Sequence, residues 1–153
     1  MRGWHSCSCR RHGLGIGLAT LLVLLVGCTR SSDEQQLREV MTAMQEAIER
    51  RDPGDVMDHV ADDFSAPSAN MERRQLHDLL RLQVLRNERI GVSWATREIR
   101  VDGQRATVSV IATFTGSGGG WLPERGSIYR VDSGWRKDDG NWKLVHANWE
   151  RSL

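Results

Sequence analysis

The hydrophobic pattern of this 153-residue chain changes its period near Ile90, and this change constrains the fold more than any other feature of the sequence. Before Ile90, apolar residues recur every three or four positions, as on the buried face of an amphipathic helix. From Ile90 onwards, apolar and polar residues alternate, which is typical of strands with one buried face. Helices followed by long strands predict an α+β domain, in which the helices pack on one face of an antiparallel sheet.

Three helices are predicted in the first half of the chain. Ser31 stands three residues before a glutamate, which is the spacing of a capping box at the start of the first helix. Asp52 is the expected N-cap of a second helix with Pro53 in its first turn, and Asn70 is expected to cap a third. The predicted buried faces of the three helices comprise, in order, Leu37, Val40, Met41, Met44 and Ile48; Val56, Met57, Val60 and Phe64; and Leu76, Leu79, Leu80 and Val84.

Four strands are predicted in the second half, at about residues 90–101, 105–115, 126–137 and 141–150. Asp102 and Gly103 are the expected two-residue turn of the first hairpin. Arg97 interrupts the apolar alternation of the first strand, which indicates a β-bulge or a slip of register. The last hairpin turns at Asp-Asp-Gly, and its register depends on whether that turn has two residues or three.

The first 27 residues are not expected to belong to this domain. They carry only basic charges, followed by an apolar run over residues 14–26 that would extend roughly 20 Å as a helix, too short for a hydrocarbon core of about 30 Å. This order of regions is that of a secretory signal peptide. Leu25-Val26-Gly27-Cys28 resembles a bacterial lipobox, which implies cleavage between Gly27 and Cys28 and a diacylglyceryl thioether on Cys28.

The expected organisation is therefore a signal peptide over residues 1–27, a lipidated cysteine and tether over 28–36, and one domain over 37–153. Two or more acyl chains anchor a protein stably to a membrane. Thr29 follows the cysteine, where an aspartate would favour the inner membrane. We expect a lipoprotein of the bacterial cell envelope, on the outer membrane and facing the periplasm.

The composition of the mature chain excludes several classes of function. Removing three arginines from the 21 basic residues leaves 18 against 20 acidic residues, a near-neutral balance that argues against a nucleic-acid partner. Cys7 and Cys9 leave with the signal peptide and Cys28 is blocked by lipid, so neither a disulfide nor a thiolate site is expected. The sequence contains no pair of histidines at a spacing typical of metal ligands, so no metal site is expected. No cofactor is expected.

Two segments of the chain carry a resemblance to a known family: "LREVMTAMQEAIERRDPGDVMDHVADDF" and "GWRKDDGNWKLVHANWE". Over residues 33–150 the sequence resembles the nuclear transport factor 2-like superfamily, especially its small bacterial members. The resemblance implies a curved sheet wrapped around helices into a cone, often with a pocket inside and often with a homodimer formed through the sheet. It does not imply one activity, because this fold serves enzymes and binding proteins alike.

The last strands hold the candidate site. Simple alternation places His146 on one face with Trp142 and Leu144, and a two-residue turn adds Tyr129 and Trp135 to that face. The candidate pocket residues are Trp94, Tyr129, Trp135, Trp142, Leu144 and His146. In enzymes of this resemblance a pocket histidine or aspartate moves a proton, so His146 is the candidate base, with Tyr129 polarising the substrate and Asp62 or Asp63 orienting the ring. The alternative is that the histidine and the tryptophans only build the core.

Three hypotheses of function follow. The first is a lipoprotein whose domain binds a small apolar molecule or an envelope protein and catalyses nothing. The second is a pocket enzyme of isomerase, dehydratase or cyclase type that uses His146. The third is an accessory or immunity-type lipoprotein that binds a protein through an outward-facing apolar patch formed by Val92, Trp94, Ile111 and Trp149.

Overall fold

The computed structural model describes residues 32–117 and 127–152. The predicted signal peptide, the lipobox cysteine Cys28 and the predicted capping residue Ser31 lie outside these described residues. The helices are α1 (Asp33–Glu49), α2 (Pro53–Asp58) and α3 (Arg73–Arg86), and a single 3₁₀ turn covers Pro67–Ala69. The strands are β1 (Val60–Ala66), β2 (Met71–Glu72), β3 (Arg89–Asp102), β4 (Arg105–Ser117), β5 (Ser127–Asp138) and β6 (Asn141–Arg151).

The structure confirms an α+β fold in which three helices pack against a curved sheet. The helix caps differ in part from those predicted. Ser32 caps α1 by accepting a hydrogen bond from the Gln35 N–H at 3.2 Å. Asp52 caps α2 as predicted, and Pro53 occupies its first turn. Glu72 caps α3 within a capping box with Gln75, whereas Asn70 closes the preceding 3₁₀ turn in a left-handed conformation.

The prediction that α2 continues through Val60 and Phe64 is wrong, because both residues belong to β1. Residues four positions apart share a face in a helix and also in a strand, so the apolar spacing did not distinguish the two structures. Hydrogen bonds to a distant strand decide it, since β1 pairs with β6 in parallel. The residue before β1 is also bonded to β6, since the Leu144 N–H donates to the carbonyl of His59 at 2.9 Å.

The six strands form one sheet in the order β2-β1-β6-β5-β4-β3. The predicted sheet was wholly antiparallel, but the β1–β6 pair is parallel and joins the first half of the chain to its last strand. Strands β3 to β6 form the expected antiparallel meander. No helix in the described part of the chain is both long enough and apolar enough to cross a membrane.

Two-residue turns set the registers of the long hairpins. The β3–β4 turn is Gly103-Gln104, one residue later than predicted, and Gly103 has a φ of +56° that glycine adopts without steric cost. The β5–β6 turn is Asp139-Gly140, where both residues have positive φ as in a type I′ turn. This register places Trp135 opposite Leu144 and brings Tyr129 onto the same face of the sheet.

Two β-bulges shift the alternation within these hairpins. The pairing of β3 with β4 skips Arg97, as its position in the sequence indicated. The pairing of β5 with β6 skips Val145, which the sequence pattern did not reveal. Each bulge adds one residue to its strand. Two residues on opposite sides of a bulge therefore share a face of the sheet when their residue numbers differ by an odd number. The inner face of β6 therefore carries Trp142 and Leu144 before the bulge, and Ala147 and Trp149 after it.

These registers contradict the predicted outward-facing apolar patch. Val92 is only 3% exposed and belongs to the buried core. Trp94 and Trp149 are partly buried and pack against the same core. Ile111 alone remains on the outer face, where it pairs with Ala95 and Arg130. The outer face of the sheet otherwise carries mostly serine, threonine and charged residues, including Ser93, Ser109, Thr113, Asp132 and Glu150.

One hydrophobic core lies between the helices and the inner face of the sheet. Leu37 and Met41 of α1 contribute to it from the helical side, and Val108, Trp135 and Trp142 contribute from the strands. Leu37 is fully buried and Trp142 is 1% exposed. The core holds α1 against the sheet, and some of its residues, such as Phe64 and Leu144, also line the candidate site.

Candidate functional site

A cavity of about 450 Å³ lies between the three helices and the inner face of the sheet. This volume is within the range of roughly 300–1,000 Å³ that is usual for small-molecule sites. The helices contribute Met44, Ile48, Pro53, Val56, Leu76, Leu79, Leu80 and Val84 to its lining. The 3₁₀ turn and the sheet contribute Ala69, Phe64, Met71, Ile90, Phe114, Val131, Leu144, Ala147 and Trp149.

Helix α3 forms one wall of this cavity because its apolar residues recur at helical spacing. Leu76, Leu80 and Gln83 follow one another at intervals of four and three residues, so they project from one face of the helix. The opposite wall depends on the bulge at Val145, which turns Ala147 and Trp149 towards the cavity. The site is therefore built by an ordinary amphipathic helix and an irregular strand.

Among the described lining residues, four have a side chain with a hydrogen-bonding nitrogen or oxygen, namely Asp52, Gln83, Tyr129 and Trp149. Asp52 is exposed, and its Oδ1 accepts hydrogen bonds from the N–H groups of Gly54 and Asp55 at 2.9 and 3.1 Å. Tyr129 is 9% exposed, and its ring packs edge-to-face on Phe114 with the centroids 5.9 Å apart. Gln83 is 7% exposed and lies on the α3 wall. The cavity thus combines an extensive apolar surface with very few polar groups.

The structure brings together only some of the predicted pocket residues. Tyr129 and Leu144 line the cavity. Trp135 and Trp142 are buried in the core, and Trp94 packs against it, but none of the three tryptophans lines the cavity. These tryptophans hold the sheet to the helices, which was the alternative interpretation of their positions.

The prediction that His146 shares a face with Trp142 and Leu144 is corrected by the bulge at Val145. Because of this extra residue, His146 pairs with Gly134 on the outer face and does not line the cavity. Its Nε2 lies 3.0 Å from Asn148 Nδ2. The oxygen of that amide already accepts a hydrogen bond from the Ser68 N–H, so Nδ2 is the donor and His146 Nε2 the acceptor.

Neither aspartate proposed to orient His146 is paired with it. Asp62 forms an ion pair with Arg73 at 3.6 Å, and its side chain is fully exposed. Asp63 accepts two hydrogen bonds from Arg136, at 2.8 and 3.1 Å. Within residues 32–117 and 127–152, no group of three or more acidic, histidine or cysteine side chains is arranged to hold a metal ion.

No protein-family model matches the sequence, and neither does any curated protein at a significant level. Solved structures do match. A proposed dehydratase of the NTF2-like family from Streptomyces avermitilis superposes with a TM-score of 0.67, at 21% identity over 79% of this chain and 96% of that one. A proposed scytalone dehydratase from Novosphingobium aromaticivorans gives a TM-score of 0.69, at 13% identity over 78% and 84% of the two chains.

This chain has the nuclear transport factor 2-like (NTF2-like) fold. The Bdellovibrio bacteriovorus protein Bd1075 shares the architecture with a TM-score of 0.68 and 13% identity. The match covers 78% of this chain but only 40% of Bd1075, so the present chain spans less than half of that protein's length. At these identities the likeness shows the fold alone. Together with the cavity, the NTF2-like fold supports a ligand-binding domain.

Sequence reasoning did not select Gln83 or Asn87. Both are buried polar residues on the apolar side of α3 and at its end, with exposures of 7% and 1%. Gln83 and Asn87 follow Leu76 by seven and eleven positions, a spacing that continues the buried face of the helix. The sequence did contain a signal for them, namely a polar residue within an otherwise apolar helical stripe. Such a residue is notable because buried polar groups require hydrogen-bond partners.

A charged cluster on strands β1 and β5 of the sheet predicts how the stability of this domain depends on pH. Arg136 donates hydrogen bonds to Asp63 of β1 and to Asp138 of β5, and these bonds hold the pKa of each carboxyl below its ordinary value. A carboxyl with a lowered pKa in the folded state stabilises the fold above its unfolded pKa of about 3.9. That stabilisation is lost as the pH falls through the folded pKa.

We therefore expect Arg136→Gln to lower the melting temperature at pH 7, with a difference from the wild type that shrinks steadily below about pH 4. Thermal unfolding of both proteins between pH 7 and pH 2 measures this difference. Arg130→Gln is the matched control, because Arg130 is exposed and has no ion pair with the described residues. A difference that stays constant down to pH 2 would contradict the assigned role of Arg136.

Proposed function

We propose that this domain binds one small, largely apolar molecule in its cavity and serves as a binding protein of the cell envelope. The observation that carries the proposal is the cavity of about 450 Å³, which is lined almost entirely by aliphatic and aromatic side chains. Displacing water from such a surface is favourable by about 25 cal/mol for each square ångström of apolar area removed from water. The cavity supplies this driving force to any apolar molecule of matching size.

The placement of the ionisable groups favours binding over catalysis. A general base has to lie within hydrogen-bond distance of the proton that it removes. His146, the candidate base, lies on the other face of the sheet, and the carboxylate of Asp52 caps α2 at an exposed position. Two structural neighbours are proposed dehydratases, and a dehydratase would need an acid and a base facing this cavity.

The polarity of the outer face of the sheet gives less support to a protein-binding role. Two of the tryptophans that were expected to form an apolar patch, Trp94 and Trp149, pack inwards against the core. The outer residues of β4 and β5 that remain include Ser109, Thr113 and Asp132. Such a surface lacks the contiguous apolar area that marks many interaction sites.

Titration with N-phenyl-1-naphthylamine, a neutral probe that becomes fluorescent in apolar surroundings, tests the proposal. The full-length protein, at a constant concentration of a mild detergent, should show saturable binding of one probe molecule per chain above the detergent blank. Added apolar compounds should displace the probe. A signal that rises linearly and equals the detergent blank would refute a binding cavity.

The proposed anchorage at the envelope gives a second test. Cys28→Ala removes the only thiol that the lipobox resemblance designates for acylation, so the variant should accumulate as an unprocessed precursor without palmitate. Cys9→Ala is the matched control, because Cys9 lies within the expected signal peptide and should be dispensable for acylation. Metabolic palmitate labelling and intact mass of the membrane fraction measure both effects. Normal acylation and membrane attachment of Cys28→Ala would exclude the proposed anchor.

A further inference from the structure

Arg51 connects two walls of the cavity that belong to different helices. It lies between α1 and α2, and its guanidinium Nη2 donates a hydrogen bond to the main-chain carbonyl of Val84, near the end of α3, at 2.6 Å. Val84 lines the cavity from α3, whereas Ile48 and Asp52 line it from the segment that contains Arg51. The side chain of Arg51 therefore spans the boundary between the α1–α2 segment and α3.

The backbone of Arg51 has a conformation that is unusual for an arginine. The Asp52 N–H donates to the carbonyl of Ala47 at 2.9 Å, and the Arg51 N–H donates to that of Ile48 at 3.0 Å, which is the Schellman motif that ends many helices. Arg51 occupies the left-handed position of this motif, with a φ of +62°. Glycine is usual at this position, because a Cβ strains the left-handed conformation. Strain of this kind persists chiefly at ligand clamps and switch segments.

The carbonyl of Val84 belongs to the open end of α3. The last four carbonyls of a helix have no intrahelical donor. Here the Asn87 N–H donates to the carbonyl of Gln83 at 3.0 Å, and the next carbonyl is that of Val84. The positive charge of Arg51 is favourable at this end of a helix. Arg51 thus caps α3 from a different element, and the cap holds only while the two cavity walls are close together.

The cavity reaches the protein surface beside this hydrogen bond. Asp52 lines the cavity and is exposed, and Val84 is half-buried. Arg51 is itself exposed, so water competes for both groups of the bond and its net contribution to stability is small. A bond of this strength breaks and forms again without unfolding of the domain.

We propose, resting on the binding function above, that Arg51 is a strap that closes the cavity between the α1–α2 segment and the end of α3. A ligand enters and leaves after the bond between Arg51 and Val84 breaks. The same bond closes the empty and the occupied cavity, so it slows association and dissociation of the ligand by the same factor. The strap therefore regulates the rate of ligand exchange and leaves the affinity unchanged.

Stopped-flow fluorescence with N-phenyl-1-naphthylamine tests the strap in the full-length protein at a fixed detergent concentration. The observed rate constant is measured against protein concentration, which gives the association rate constant as the slope and the dissociation rate constant as the intercept. Arg51→Asn is the first variant, because asparagine tolerates the left-handed conformation and is too short to reach Val84. Arg51→Gly is the second, since glycine keeps the same backbone without a side chain. Detergent takes up the probe equally for every variant, so ratios between variants are unaffected.

We expect Arg51→Asn and Arg51→Gly each to raise both rate constants by about fivefold, which corresponds to the loss of one ordinary hydrogen bond, with an unchanged dissociation constant. Arg51→Lys should exchange the probe more slowly than Arg51→Asn, because its ammonium group can bind the same carbonyl. Arg50→Asn is the matched control. Arg50 stands on the same turn but pairs with Glu46 and Asp55, so its replacement should leave both rate constants at the wild-type values.

Each other outcome has a definite meaning. Unchanged rate constants in Arg51→Asn, with the probe still bound, overturn the strap and leave the binding function standing. A rise in the dissociation rate constant alone also overturns it, because Arg51 would then stabilise the bound ligand instead of closing the entrance. Equal acceleration in Arg50→Asn overturns it by assigning the effect to the charge of the turn. Failure of the wild type to bind the probe refutes the proposed function, and the strap with it.

Discussion

Replacing Trp142 with alanine should lower the free energy of unfolding by about 3–5 kcal/mol, the largest loss of stability that we expect from any single substitution in this chain. Trp142 is 1% exposed and belongs to the core together with Leu37 of α1 and Val108 of β4. Replacing the indole with a methyl group leaves a cavity in this core, and the surrounding strands fill it only in part. It also removes the ring that lies 5.6 Å from the ammonium group of Lys137.

Urea denaturation followed by circular dichroism measures this loss of stability. Trp142→Phe should cost less than Trp142→Ala, because it keeps most of the buried aromatic surface and removes an indole N–H that has no partner among the described residues. Trp149→Ala is a second comparison, since Trp149 is partly buried and borders the cavity. Equal stability of Trp142→Ala and the wild type would show that Trp142 is not part of the core.

Filling the cavity with a larger side chain at position 147 should reduce the affinity for N-phenyl-1-naphthylamine by at least about tenfold. Ala147 is 6% exposed and lines the cavity from β6, so a phenylalanine ring at this position would occupy volume that a ligand needs. Such an overpacked substitution costs about 1–3 kcal/mol of stability. Thermal unfolding of Ala147→Phe therefore accompanies the fluorescence titration, so that loss of binding is measured on folded protein.

Ala95→Phe provides the matched control for this substitution. Ala95 is exposed on the outer face of β3, opposite Ile111, and a phenylalanine there leaves the cavity unchanged. Binding of the probe should therefore persist in this variant. If Ala147→Phe folds and binds the probe as tightly as Ala95→Phe does, the probe occupies another site, and the cavity between the helices and the sheet is not the binding site.

Much of the secondary structure followed from local patterns in the sequence. The period of the apolar residues predicted α1, α3 and the four long strands. The Asp-Asp-Gly turn specified a tight hairpin, because positive φ at two successive residues favours short polar residues and glycine. The cap of α2 at Asp52 was readable because an N-cap acts on the next three residues alone.

The candidate site was less accessible to such reasoning. His146 was placed in the pocket by simple alternation, and one unpaired residue at Val145 moved it to the opposite face. Nothing in the local pattern marks this bulge, because β6 pairs with β5 on one side and with β1 on the other. The prediction that Val60 and Phe64 are helical was wrong for a related reason. These residues form a strand because β1 pairs in parallel with β6, a segment about eighty residues away in the chain.

The sequence by itself determined the class of the fold and the approximate positions of the two tight hairpins, since periodicity and turn chemistry act over a few residues. Only the tertiary structure decided which side chains face the cavity, because strand partners and a single bulge control the direction of every residue that follows. It also decided that Gln83 Nε2 has no hydrogen-bond partner among the described residues. That property depends on what surrounds the amide in space, and neighbours in the chain do not specify it.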